Sequence, residues 1–195
     1  MKKVLLLLAN GFEIYEASVF IDVIGWNQFE GNRNTCLKTC GITKEVKTSF
    51  GQKIIVDHLI NEINVSEYEV LAIPGGFEES KYYEDAYSEI FLDLIRVFNK
   101  ANKLIASICV GALPIGRSGV LKGRYGTTYN QNNEKRIIQL EEFGVKIRRE
   151  PIVVDRNIIT SWNPSTAMNV AFLVLENITS KEQRLETQLS MGFNM

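Results

Sequence analysis

Histidine is almost missing from this sequence, because His58 is the only one among 195 residues. Any mechanism that needs an imidazole base near neutral pH must therefore use this residue. Zinc sites rich in histidine are excluded for the same reason. His58 follows a predicted strand over residues 53–56, and we interpret it as a solvated loop residue without a catalytic role.

An excess of charge of one sign is also missing. The 22 Lys and Arg residues oppose 23 Asp and Glu residues, so binding to nucleic acid through bulk charge is not expected. No apolar run reaches the roughly 18 residues that span a bilayer, so no membrane partner is expected either. The run Val4–Leu8 is too short for a signal peptide. We therefore expect a cytoplasmic protein with reduced thiols.

Several motifs that hold cofactors are absent. The sequence has no G-x-G-x-x-G after a strand, no G-K-[ST] loop, no C-x-x-C pair and no G-x-S-x-G. Cys36 and Cys40 lie four residues apart in a predicted strand, roughly 13 Å, which is too far for a disulfide. We expect no cofactor and no metal.

Short apolar runs alternate with amphipathic stretches along the whole chain. Strands are predicted at 4–9, 35–39, 45–49, 53–56, 70–73, 104–108, 145–148, 151–154 and 157–161. Helices are predicted at 16–29, 84–99, 134–143, 165–177 and 180–191. Nearly continuous apolar strands between helices are typical of a parallel sheet covered on both faces. We predict one doubly wound α/β domain over residues 1–195, with an additional helical tail over 180–195.

Ligands of such sheets bind beyond the carboxyl ends of the strands. This rule indicates three loops, at residues 10–16, 74–79 and 109–112. Within the middle loop Glu78 and Glu79 either line the mouth of a cavity or are simply exposed.

Cys109 follows a buried strand directly and precedes small residues that open a helix. This is the layout of a nucleophile elbow, in which Gly111 lets the helix pack close to the strand. The helix N-terminus favours a thiolate, and the N–H of Val110 is placed to donate to an oxyanion. The alternative is an inert cysteine in the core.

Glu16 stands where the first loop becomes a helix. It is either a first-turn carboxylate stabilised by the helix dipole or a buried, protonated partner of a thiolate. An ionised carboxylate beside the thiol would raise the thiol pKa, whereas a protonated one that donates to the thiolate would lower it.

Five segments together resemble the DJ-1/PfpI superfamily, including its bacterial ThiJ-type members. They follow one another at family-like spacing and cover the chain to about residue 177. The segments are residues 9–16 (Ala-Asn-Gly-Phe-Glu-Ile-Tyr-Glu), 72–76 (Ala-Ile-Pro-Gly-Gly), 106–111 (Ala-Ser-Ile-Cys-Val-Gly), 126–129 (Gly-Thr-Thr-Tyr) and 158–164 (Ile-Ile-Thr-Ser-Trp-Asn-Pro). The resemblance implies a flavodoxin-like sheet of the class I glutamine amidotransferase type and a homodimer.

The resemblance also implies a site and an activity. It assigns Cys109 as nucleophile and Glu16 as its protonated partner. The remaining implied site residues are Gly75, Gly76 and Val110 for an anion pocket, and Tyr129, Asn163 and Pro164 as further lining. The expected substrate is a small electrophilic carbonyl, as in a glyoxalase or deglycase. The alternatives are a cysteine-based oxidative-stress sensor and a peptidase or amidase.

Two positions depart from the family pattern. Many members place a histidine just after the Thr-Thr pair, where this sequence has Tyr129. The PfpI-type peptidases place one directly after the cysteine, where this sequence has Val110. Because a phenol with a pKa near ~10 is not a base at neutral pH, the peptidase alternative is ranked last.

Overall fold

The computed structural model describes residues 1–193, so Asn194 and Met195, at the end of the predicted tail, lie outside the described residues. Within the described part, the strands are β1 (Lys2–Leu8), β2 (Thr35–Gly41), β3 (Glu45–Lys47), β4 (Lys53–Ile55), β5 (His58–Leu59), β6 (Val70–Ile73), β7 (Leu104–Ser107), β8 (Tyr125–Gly126), β9 (Lys146–Ile147), β10 (Ile152–Asp155) and β11 (Ile158–Ser161). The α-helices are α1 (Ile14–Glu30), α2 (Tyr82–Ala86), α3 (Glu89–Lys100), α4 (Ala112–Arg117), α5 (Lys135–Glu142), α6 (Ala167–Ile178) and α7 (Lys181–Ser190).

The main sheet has the strand order β10-β11-β7-β6-β1-β2-β5. Its neighbours pair in parallel except β10 and β11, which are antiparallel. The hairpin β3–β4 and the pair β8–β9 form two small separate sheets. Helices α1, α6 and α7 pack together in one layer, and α3, α4 and α5 form another. The predicted doubly wound, mostly parallel fold is confirmed.

The strand order reverses direction between β1 and β6. From β1 the chain builds outward through β2 and β5, and then it returns to the other side of β1 to form β6 and β7. All residues of Val4–Leu8 and of β6 are buried, which explains their unbroken apolar sequences. A crevice opens at the carboxyl ends of strands at such a switch point.

The predicted single helix over 84–99 is wrong, because the structure has two helices there. Ser88 separates them with an extended backbone (φ −68°, ψ 147°). Its hydroxyl donates to the carbonyl of Asp85 across 2.7 Å, which stabilises the turn. The amphipathic pattern of α3 masks this break, since a serine within a helical stretch is also a common helix start.

The predicted loop position of His58 is also wrong. His58 is half-buried and begins β5, where it pairs in parallel with Cys40 of β2. A strand of two residues is too short to produce a recognisable apolar alternation. It adds a final edge strand to the sheet.

The tail helix α7 packs against α6 and α1. The side chain of Ser180 caps its first turn by accepting from the N–H of Gln183. The buried Thr187 accepts a 3.2 Å hydrogen bond from Nδ2 of Asn27 on α1. In residues 1–193, no helix combines the length and the apolar character needed to cross a membrane.

Candidate active site

The three loops predicted from the sequence surround one cavity of about 360 Å³ at the switch point. They follow β1, β6 and β7, whose carboxyl ends meet at this edge of the sheet. A further loop and the start of α5 close the remaining side. The lining residues are Glu13, Glu16, Gly76, Phe77, Glu78, Glu79, Cys109, Val110, Tyr129, Asn132, Arg136 and Pro164.

Cys109 lies on a sharp turn between β7 and α4. Its φ of 55° is in the left-handed region, which is uncommon for a residue other than glycine. The hydroxyl of Thr128 donates to the carbonyl of Cys109 across 2.8 Å and holds this conformation. Gly111 must lack a side chain, because a Cβ there would lie 2.5 Å from the carbonyl oxygen of Ile73. The elbow predicted from the sequence has this geometry.

Glu16 is held by a closed ring of three hydrogen bonds, each of which a backbone N–H donates. The N–H of Glu13 donates to the carbonyl of Gly75 across 2.8 Å. The N–H of Gly75 donates to Oε2 of Glu16 across 2.6 Å. The N–H of Glu16 donates to Oε2 of Glu13 across 2.9 Å. The ring ties the loop after β6 to the first turn of α1 and leaves the other carboxyl oxygen of Glu16, Oε1, outside it.

Glu16 is fully buried, and its Oε1 has no hydrogen-bond partner within the described chain. The pKa of Glu16 is raised to about 8, mainly by burial and in smaller part by the charge of Glu13, while the N–H of Gly75 and the Cys109 side chain lower it. The carboxyl group therefore keeps its proton at neutral pH. Because Oε2 already accepts the N–H of Gly75, the proton belongs on Oε1.

Cys109 is buried, with only 8% of the residue exposed. Burial raises its pKa well above the ordinary value, a charged Glu16 raises it further, and the N–H of Val110 lowers it. Burial thus outweighs the predicted effect of the helix N-terminus. It follows that a thiolate at Cys109 is favourable only while Glu16 remains neutral.

The further lining residues expected from the resemblance have different positions. Tyr129 and Pro164 line the cavity, as does Gly76. Gly75 lies behind it, with its N–H committed to Glu16. Asn163 is not among the lining residues, and its Nδ2 donates to Oδ1 of Asn130 across 3.1 Å. The expectation that Asn163 lines the cavity is therefore corrected: it supports the loop that carries Tyr129.

Sequence reasoning missed Arg136, which reaches the cavity from the first turn of α5. Its guanidinium lies over the ring of Tyr83, 4.9 Å from the centroid. It also binds Oε2 of Glu78 across 2.6 Å and Gln139 across 2.9 Å. The helical pattern predicted α5 but not which face meets the cavity. The cap formed by Glu13 was missed too, because Glu is not among the residue types preferred at an N-cap.

His58 is not among the residues that line the cavity. It stands at the far edge of the sheet, since β2 and β1 separate β5 from β6. Within residues 1–193, no three His, Cys, Asp or Glu side chains are grouped so as to hold a metal ion.

Three curated relatives illustrate the similarity to known proteins. Protein dj-1beta of Drosophila melanogaster is 28% identical over 195 residues, covering 99% of both chains. The glutathione-independent glyoxalase DJR-1.2 of Caenorhabditis elegans is 26% identical over 72% of each chain. The uncharacterized protein MJ0967 of Methanocaldococcus jannaschii is 29% identical over 68% of this chain and 63% of that protein. The chain thus spans less than two thirds of MJ0967, and it spans 40% of the Arabidopsis thaliana DJ-1 homolog B.

Solved structures and a family model agree with these relatives. The crystal structure of Drosophila DJ-1beta superposes with a TM-score of 0.85 at 25% identity, covering 100% of this chain and 99% of that one. The structure of oxidized Toxoplasma gondii DJ-1 superposes with a TM-score of 0.81 at 23% identity over the full length of both chains. The model of the DJ-1/PfpI family matches residues 2–177. The chain therefore belongs to the DJ-1/PfpI family.

Proposed function

We propose that this protein converts small reactive carbonyl compounds to hydroxy acids through a Cys109 thiolate assisted by Glu16. The observation that carries the proposal is the buried Glu16, whose unpartnered Oε1 is left to serve Cys109 in the cavity. A neutral carboxyl group in that position is able to donate a proton during the addition of the thiolate.

The chemistry balances without a cofactor. The thiolate adds to the aldehyde carbon of a 2-oxoaldehyde such as methylglyoxal, and Oε1 of Glu16 protonates the new alkoxide. The carboxylate then removes the hydrogen on C1 as a proton and returns it to C2, while the hydroxyl proton of C1 passes to the oxygen on C2. The product is a thioester on Cys109. Water cleaves it to lactate and restores the thiol.

Two further facts support this proposal. A relative with 26% identity carries the name glutathione-independent glyoxalase. The scheme also needs no imidazole, which agrees with a cavity that His58 does not line. A Cys-His dyad for peptide cleavage has no candidate there, so the peptidase alternative stays ranked last.

Lactate formation from methylglyoxal tests the proposal directly. We expect Cys109→Ala to abolish it, and Glu16→Gln to lower kcat by about 10²–10⁴-fold because a general acid and base is lost. Cys36→Ser is the matched control, since Cys36 is a free cysteine in β2, outside the cavity. Activity that survives in Cys109→Ala would sink the proposal.

An oxidative-stress sensor is the second candidate. It is favoured by the remaining 8% exposure of Cys109 and by the relation to a DJ-1 structure described as oxidized. Mild peroxide should then convert Cys109 selectively to the sulfinic acid, with Cys36 unmodified. Equal oxidation of both cysteines would count against a sensor.

We also propose that the chain forms the homodimer implied by the resemblance, in the reducing cytoplasm expected from its sequence. Helix α1 exposes Ile21, Trp26 and Phe29, with 72% of Phe29 accessible. A second copy that covers this face would bury these side chains. Light scattering should give twice the 22.1 kDa chain mass, and Phe29→Glu should lower it to one copy.

A further inference from the structure

We propose that the cavity at Cys109 selects electrophiles by charge, admitting uncharged carbonyl compounds and rejecting 2-oxo acids and phosphorylated carbonyls. This inference rests on the proposed function and adds the substrate class. Its basis is the set of ionisable side chains that line the cavity. Besides the protonated Glu16, these are three carboxylates, Glu13, Glu78 and Glu79, and one guanidinium, Arg136.

Glu13 is the carboxylate nearest to the chemistry. It is 8% exposed and is fixed by the N–H groups of Tyr15 and Glu16, which donate to its two oxygens across 3.2 and 2.9 Å. Its charge reaches both reacting groups, because it raises the pKa of Glu16 and of Cys109. An anion brought to Cys109 therefore meets this fixed charge at short range.

The cation of the cavity does not offset these charges. Arg136 is paired with Glu78 across 2.6 Å and lies over the ring of Tyr83. Its positive charge is therefore already compensated by the carboxylate of Glu78. Lys135, which also binds Glu78, is 65% exposed and does not line the cavity. Even with both cations counted, Glu13, Glu78 and Glu79 leave a net charge of −1.

Low-dielectric walls strengthen this field, since charges around a narrow cleft focus their potential into it. A carboxylate or phosphate on the substrate would be desolvated beside Glu13 without a counter-ion. An uncharged 2-oxoaldehyde pays no such cost. The position of Glu79 at the exposed entrance extends the same repulsion outward.

Two alkylating reagents that differ in charge measure this charge selection at Cys109 itself. Iodoacetamide is neutral and iodoacetate is anionic, and the same thiolate attacks the CH2 carbon of either: an S–C bond forms, the C–I bond breaks and iodide leaves with the bonding pair. The ratio of their rate constants is therefore independent of the thiol pKa. Trypsin releases residues 104–117 as a peptide in which Cys109 is the only cysteine. Mass spectrometry of that peptide gives both rates, and 2-mercaptoethanol gives the reference ratio.

We expect the ratio of iodoacetate to iodoacetamide at Cys109 to lie about fivefold or more below the reference at low salt. It should rise toward the reference at 1 M salt, where the Debye length is only about 3 Å. Glu79→Gln should raise it by about 2–3-fold, and Glu79→Lys by more. Glu13→Gln should raise it as well. Glu141→Gln, at an exposed position of α5 outside the cavity, should leave it unchanged.

A ratio equal to the reference, and unmoved by Glu79→Lys, would overturn charge selection while leaving the proposed function standing. Conversely, a low ratio that rises in Glu79→Lys supports charge selection even if methylglyoxal yields no lactate. The absence of lactate would then contradict only the proposed function. The two failures are thus distinguishable in one set of variants.

Discussion

Gly75 donates its backbone N–H to Oε2 of Glu16 across 2.6 Å, and this bond distinguishes the two carboxyl oxygens, because the buried Oε1 has no partner among the described residues. It joins the loop after β6 to the helix after β1, the two strands between which the sheet reverses direction. With Oε2 engaged, Oε1 is the oxygen that carries the proton of a neutral carboxyl group. The backbone of one glycine therefore orients the proposed acid.

Gly75→Ala should disturb this site more than the fold. An added Cβ would lie 2.9 Å from Oε2 of Glu16 and 3.0 Å from both Cγ2 and the N atom of Val110. We expect a loss of about 1–3 kcal/mol in the free energy of unfolding, together with a large loss of Cys109 alkylation rate. Gly25→Ala in α1 is the control, because its Cβ would meet nothing within 4 Å. Similar behaviour of the two variants in urea unfolding and alkylation would contradict this prediction.

The substitution Thr128→Val tests whether Thr128 stabilises the turn at Cys109. The substitution keeps the shape but removes the hydroxyl that donates to the carbonyl of Cys109 across 2.8 Å. Because both groups are buried, we expect a loss of about 1–3 kcal/mol in the free energy of unfolding. We also expect slower alkylation of Cys109 as its left-handed backbone relaxes. Thr128→Ser, which keeps the donor, should restore both quantities, and a Ser variant no better than Val would exclude this role.

Glu16→Gln should change how stability depends on pH. The ordinary pKa of a glutamate is 4.5, and in the folded protein that of Glu16 is about 8. Between these values the unfolded chain has lost the proton that the folded chain keeps, so the free energy of unfolding of the wild type falls as pH rises. Gln has no such proton. From pH 5 to pH 8, the difference in the free energy of unfolding between Glu16→Gln and the wild type should therefore shift in favour of the variant by up to roughly 4 kcal/mol.

Urea unfolding at several pH values, followed by tryptophan fluorescence, measures this difference. Glu141→Gln serves as the control, because Glu141 is exposed. A constant difference between the wild type and Glu16→Gln over pH 5–8 would show that Glu16 is already ionised in the folded protein.

The order of strands and helices explains what the sequence could predict. Cys109 and Glu16 each follow an apolar strand, and in a parallel sheet such positions meet at one edge. Local sequence patterns were therefore enough to predict that Cys109 and Glu16 lie close together. Arg136 shows the opposite case, because its place depends on how α5 is rotated against Tyr83, which no local pattern encodes.

The directions of side chains and the positions of very short strands also could not be predicted from the sequence. Asn163 lies in the segment that the resemblance assigns to the cavity, yet it does not line the cavity and instead binds Asn130. The pKa of Cys109 depends on burial by residues from several loops, which the sequence around the helix N-terminus does not reveal. His58 joined the sheet through a two-residue pairing with β2 that only the assembled fold provides.

The central claim is that Glu16 keeps its proton while Cys109 forms the thiolate. The pH dependence of Cys109 alkylation by iodoacetamide, in the wild type and in Glu16→Gln, tests it most directly. If a protonated Glu16 donates to the thiolate, Gln replaces its O–H donor by a weaker amide N–H donor, so the midpoint moves to higher pH. A midpoint that moves to lower pH would mean that Glu16 is ionised beside the thiol and would contradict the account.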